Sequence, residues 1–122
     1  MRVVLKNEPG LLRATLDGDA LEHQSGATVT DEVLRALGQG DTLLLVFDSV
    51  KSIDSAGVGA LVTILKSVRR LGGRMALVGV GPQVLTVLKI IRLTTVFEIF
   101  EDEPSALAAL AQSASPSQTP AI

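Results

Sequence analysis

Thr42-Leu-Leu-Leu-Val-Phe47, closed by Asp48, leads through Ser49-Val-Lys-Ser-Ile53 into Asp54-Ser-Ala-Gly-Val-Gly59, and the hydrophobic period changes at Asp54. The first stretch is short and continuously apolar. It reads as a strand buried on both faces. After Asp54 the apolar residues Val58, Leu61, Val62, Leu65 and Val68 recur at helical spacing. Thr63, Lys66, Ser67 and Arg70 take the other side, and Gly72-Gly73 ends the run. This is an amphipathic helix.

The flanking sequence repeats the alternation. Met75-Ala-Leu-Val78 reads as a second buried strand. Gly81-Pro82 opens another helix, with Pro suited to its first position. Val84, Val87, Leu88 and Ile91 form the expected inward stripe, and Leu85 and Ile90 fall off it, under the last elements or in a partner patch. Val96 to Phe100 reads as a short final strand and Glu103 to Gln112 as an Ala-rich helix. Upstream, Val3-Val-Leu5 and the alternating Leu12, Ala14, Leu16 flank Pro9-Gly10, the pattern of an antiparallel hairpin. The stretch from Gly18 to Gly26 is polar and irregular. Thr28-Val-Thr-Asp31 resembles a helix start, with Val29, Val33, Ala36 and Leu37 on one face and Gly38 at the stop.

The order β-β-α-β-α-β-α-β-α predicts an α/β domain over residues 1–112. Its sheet is parallel except for the leading hairpin strand, with four to five strands and about four helices. The Ser/Pro/Thr/Ala-rich residues 113–122 are expected to be a disordered tail.

Composition removes several functions. The 122 residues are 47% hydrophobic but only 2% aromatic, so the core must be aliphatic. Eleven basic residues face thirteen acidic ones, for a net charge of −2, with no basic run longer than Arg69-Arg70. Nucleic-acid binding needs clustered cations and often stacking aromatics, so no nucleic-acid partner is expected. Cysteine is absent and His23 is the only histidine, which leaves no disulfide, thiolate or two-His metal motif. No metal or cofactor is expected. No apolar run is long enough to span a bilayer, and Met1 to Lys6 lacks a signal peptide's apolar core. The expectation is a cytoplasmic chain without direct membrane insertion.

In open α/β sheets, sites gather at the carboxyl ends of strands. That singles out Asp48 to Gly59. Either Asp54 or Ser55 could cap the helix that follows. Gly57 and Gly59 lie in its first turns, where Gly costs about 1 kcal/mol against Ala. Close packing on a strand, or close approach of another protein, would offset that cost. A phosphate on Ser55 would meet the positive end of a helix dipole. Gly57-Val-Gly59 is followed by Val62 where a dinucleotide fingerprint wants Gly or Ala, and no Gly-Lys-Ser/Thr follows, so neither phosphate-binding loop is present. Ser55 lacks the Gly-x-Ser-x-Gly frame of a hydrolase nucleophile, and no catalytic residue is expected.

The stretch from Leu44 to Leu61, in register with Gly73-Arg-Met-Ala-Leu-Val-Gly-Val-Gly-Pro82 and Val96-Phe-Glu-Ile-Phe100, resembles the STAS domain family (sulfate transporter and anti-sigma factor antagonist). The match covers about residues 3 to 111. The resemblance implies a non-enzymatic anti-sigma factor antagonist. Ser55 would be phosphorylated by a partner that is both serine kinase, carrying the ATP, and anti-sigma factor. The unmodified form would bind that partner and free a sigma factor, and a serine phosphatase would reset the switch. Asp54 matches the family's acidic neighbour and Ser49 the small polar residue after the strand. The implied partner surface takes in Asp54, Ser49, Ala56, Gly57, Val58 and Gly59. It extends to Asp19 and Glu22, where Gly18-Asp-Ala-Leu-Glu22 keeps the acidity of a family segment with different spacing. The same resemblance also admits a subunit of a stressosome-like scaffold, or an accessory subunit of a lipid or anion transport complex.

Overall fold

The computed structural model describes residues 1–112; the expected tail lies outside them. The elements in order are β1 (Arg2–Glu8), β2 (Leu11–Asp17), β3 (Ala20–Leu21), α1 (His23–Ala36), β4 (Thr42–Val46), β5 (Ser52–Ile53), α2 (Ser55–Arg70), β6 (Arg74–Val78), α3 (Pro82–Ile90), β7 (Glu98–Phe100) and α4 (Glu103–Gln112). Five strands form one sheet in the order β1-β2-β4-β6-β7. β1 pairs antiparallel with β2 across the Pro9-Gly10 turn, and every other pair is parallel.

The continuous apolar runs are explained by cover on both faces. Leu43, Leu45 and Phe47 enter the main core with Leu12, Ala14 and Leu16 of β2 and with Leu61, Ile64 and Val68 of α2. Leu44 points the other way, into a smaller cluster with Ala76, Val78 and Ala106 of α4. Arg13 on that second face bonds both Glu103 and Glu8, tying α4 to the sheet. Arg74 pairs with Glu98, joining β6 to β7.

Three boundaries differ from the sequence reading. α1 starts at His23, not Thr28. The Ser25 hydroxyl accepts the Glu22 backbone N–H at 2.8 Å and donates to the Ala20 carbonyl at 2.9 Å, which closes the first turn earlier. Thr28 and Thr30 instead bond back to the Gln24 and Gly26 carbonyls inside the helix. The last strand begins at Glu98, because Val96 sits in a turn and is exposed. On α3, Val84 and Leu88 are fully buried, but Ile91 lies past the helix end and is 43% exposed.

The pairs β3 and β5, each two residues long, form a small parallel ladder that periodicity did not reveal. Leu21 faces Ile53 and Ala20 faces Ser52. This ladder aligns the starts of α1 and α2.

Candidate functional site

The parallel strands β2, β4, β6 and β7 all end on one edge of the sheet, and α1, α2 and α3 all begin there. Phe47 continues β4 by donating its N–H to the Val78 carbonyl at 2.8 Å. The chain then turns through Asp48 and Ser49, both exposed. Lys51 and Ser52 donate backbone N–H groups to the Asp19 carbonyl, and Asp54 donates to the Leu21 carbonyl. The segment before α1 is thus fastened to the segment before α2. The structure thereby brings the Asp19 to Glu22 segment beside Lys51 to Asp54, at the start of α2.

Capping duty falls on Asp54. Its backbone is extended and its Oδ1 accepts the Gly57 N–H at 2.8 Å. Ser55 is the first residue of α2 and exposed, and its hydroxyl makes no hydrogen bond among the described residues. The hydroxyl therefore stands free at the positive end of the helix.

The two glycines part ways. Gly57 is buried, and a Cβ there would stand 2.2 Å from the Leu21 carbonyl oxygen and 2.8 Å from Ile53 Cγ1. Close packing of α2 on the β3–β5 ladder accounts for it, so its contribution to a partner surface through its own backbone is removed by burial. Gly59 is exposed, with nothing within 4 Å of an added Cβ. Ala56 and Val58 are half-buried on either side.

His23 is exposed at the start of α1. It lines an open groove of about 630 Å³ between α1 and α2 that also touches Asp31, Ala56, Ala60 and Thr63. Asp31 pairs with Arg35 at 3.2 Å. It lies roughly 12 Å along the helix from His23 at 1.5 Å per residue. Ser55 is not among the groove's lining residues. No acid–base dyad or nucleophile triad forms from these groups.

Asp48 opens the segment singled out in the sequence but stood outside the partner surface implied by the resemblance. Its Oδ1 lies where a Cβ on Gly79 would be, so the β4 and β6 exits are packed together. Counting the loops of this edge, Asp17, Asp19, Glu22, Asp48, Asp54, Glu101 and Asp102 are all exposed, against the cations Arg2 and Lys51. The Ser55 edge is acidic.

A family model described as the STAS domain matches residues 2–106. The chain belongs to the STAS domain family. The anti-sigma F factor antagonist of Paenibacillus polymyxa is 26% identical to it over 112 residues, covering 90% of this chain and 95% of that protein. A candidate anti-sigma factor antagonist of Thermotoga neapolitana is 43% identical over 65 residues, which is 53% of this chain and 58% of that protein. The crystal structure of a candidate antagonist from Thermotoga maritima superposes with a TM-score of 0.80 at 25% identity, over 89% of this chain and 94% of that one. The STAS fold expected from the Leu44 to Leu61 stretch is the fold observed. No described helix is long and apolar enough to cross a membrane.

Proposed function

We propose that this STAS domain is an anti-sigma factor antagonist switched by phosphorylation of Ser55. The observation that carries the reading is the free, exposed Ser55 hydroxyl at the first position of α2, beside a capping Asp54 that leaves it unengaged. The names of the similar Paenibacillus and Thermotoga proteins support the antagonist part of this role.

In this mechanism the unmodified edge docks on an anti-sigma factor that is also a serine kinase. Contacts come from Ser49, Asp54, Ser55, Ala56, Val58 and Gly59, with Asp19 and Glu22 alongside. The open space over Gly59 admits a partner's backbone. The protein supplies no base to activate Ser55, so the chemistry is the kinase's. The kinase brings its nucleotide within transfer distance of the Ser55 oxygen. Attack on the γ-phosphorus forms the Ser O–P bond and breaks the bond to the ADP oxygen. The hydroxyl proton leaves to a base of the kinase.

The product carries about −1.5 to −2 charges at the contact point. That charge faces the nucleotide phosphates and the neighbouring Asp54, and it must be desolvated to redock. The dipole of α2 and its first N–H groups stabilise the phosphate locally, so the fold stays as it is. The complex opens and a phosphatase restores the hydroxyl.

Incubation of the full chain with anti-sigma kinases of its own genome and ATP, followed by site mapping by mass spectrometry, tests the reading. Phosphate is expected on Ser55 and absent from Ser55→Ala. Modification of Ser49 or Ser52 alone, with Ser55 untouched, contradicts it.

A further inference from the structure

The edge opposite Ser55 has the reverse character. There α1, α2 and α3 end, and the loops before β4, β6 and β7 lie beside them. Lys66, Arg69, Arg70, Lys89 and Arg92 are all exposed, and none takes part in an ion pair among the described residues. Between them stand Ile90, 74% exposed, Ile91 and Val96. Arg69 and Val96 line the same small cleft, so the end of α2 and the loop that follows α3 share one surface.

Cations in the last turn of a helix complement its dipole, and that accounts for Arg69, Arg70 and Lys89. It does not account for Arg92 or for the isoleucines. α2 and α3 end with the same backbone motif. Gly73 N–H bonds the Val68 carbonyl at 2.9 Å and Leu93 N–H bonds the Leu88 carbonyl at 2.8 Å. The residue before each is left-handed, Gly72 at φ 78° and Arg92 at φ 61°. That position favours Gly, and α3 places an arginine there instead. A cation is held at the tip of the molecule against local preference, next to an isoleucine in water.

We propose that this basic, apolar edge rests on an anionic phospholipid surface as a reversible peripheral contact. The side chains of Ile90 and Ile91 enter the interface while the five cations meet lipid phosphates. Nucleic acid fits poorly, because aliphatic side chains gain nothing on a phosphate backbone and the patch holds no aromatic ring for stacking. The acidic Ser55 edge is repelled by the same surface and faces away from it, open to its partner. The inference does not rest on the phosphorylation reading.

Sedimentation of the full chain with vesicles tests it. The chain should partition onto phosphatidylglycerol/phosphatidylcholine vesicles, remain free of pure phosphatidylcholine, and be released by high salt. Ile90→Asp and Lys89→Glu/Arg92→Glu should each lower the partition coefficient by about tenfold or more. Arg92→Gly should weaken binding while raising Tm by a few degrees, because it relieves the left-handed position. Ser55→Asp should partition like the parent. Absence of binding to the phosphatidylglycerol vesicles, equal binding to both vesicles, or charge-reversed variants that bind like the parent would overturn the proposal. Kinase binding through Ser55 is read separately on the same variants.

Discussion

Gly57 and Gly59 lie one residue apart in α2 and answer to different constraints. At Gly57 a methyl group would collide with the Leu21 carbonyl and Ile53. Gly57→Ala should therefore cost about 2 kcal/mol, as overpacking outweighs the gain in helix propensity. At Gly59 the space is open. Gly59→Ala should stabilise the fold by about 0.5–1 kcal/mol, while the added methyl crowds an approaching partner. Urea unfolding of both variants, paired with kinase affinity, separates the two. The oddity of both glycines is legible in the sequence. Which one faces inward is not, because the atom that Gly57 must clear belongs to Leu21, in a stretch with no period to read. The division of labour between Asp54 and Ser55 is not legible either. Either can cap by type, and only the backbone decides that Asp54 does. Asp54→Ala should cost about 1 kcal/mol and leave Ser55 exposed.

Elements with a strong period were readable, and elements held by single hydrogen bonds were not. β4, α2 and β6 carry their pattern in apolar spacing. β3 and β5 are too short to have one, and α1 begins where a buried Ser25 folds back on Ala20 and Glu22. Val96 has strand propensity yet lies in the turn that follows Leu93. α4 offers a test at this scale. The Asp102 carboxylate accepts the Ser105 N–H at 2.9 Å. That backbone bond, with a further contribution from the Ser105 side chain, holds its pKa below the usual aspartate value. A depressed folded pKa gives stability that is complete above the unfolded value and lost as pH falls through the folded one. Amides in the first turn of α4 should therefore lose hydrogen-exchange protection as pH drops below the ordinary aspartate range. Asp102→Asn keeps a capping oxygen and should flatten the part of the profile due to Asp102. An unchanged profile in that variant would remove Asp102 from the account.

Across the whole molecule the alternation of buried strands and amphipathic helices was sufficient for the fold, because each parallel strand needs a covering crossover. The charge layout was not legible. A net charge of −2 conceals an acidic edge around Ser55 and a basic edge at the opposite ends of the helices, and only the topology sorts residues between them. The acidic edge predicts that association with the kinase is steered by charge. Its rate should fall as salt rises from low to physiological strength. A rate independent of salt, measured by stopped flow, would contradict that steering. Charge at one oxygen, the Ser55 hydroxyl, decides adhesion without refolding in this mechanism. Titration calorimetry of the cognate kinase with the unmodified and the Ser55-phosphorylated chain measures this directly. The phosphorylated chain should show a Kd at least about thirtyfold weaker, roughly 2 kcal/mol, with the same Tm and circular dichroism to within small changes. Equal affinity of the two forms would contradict it.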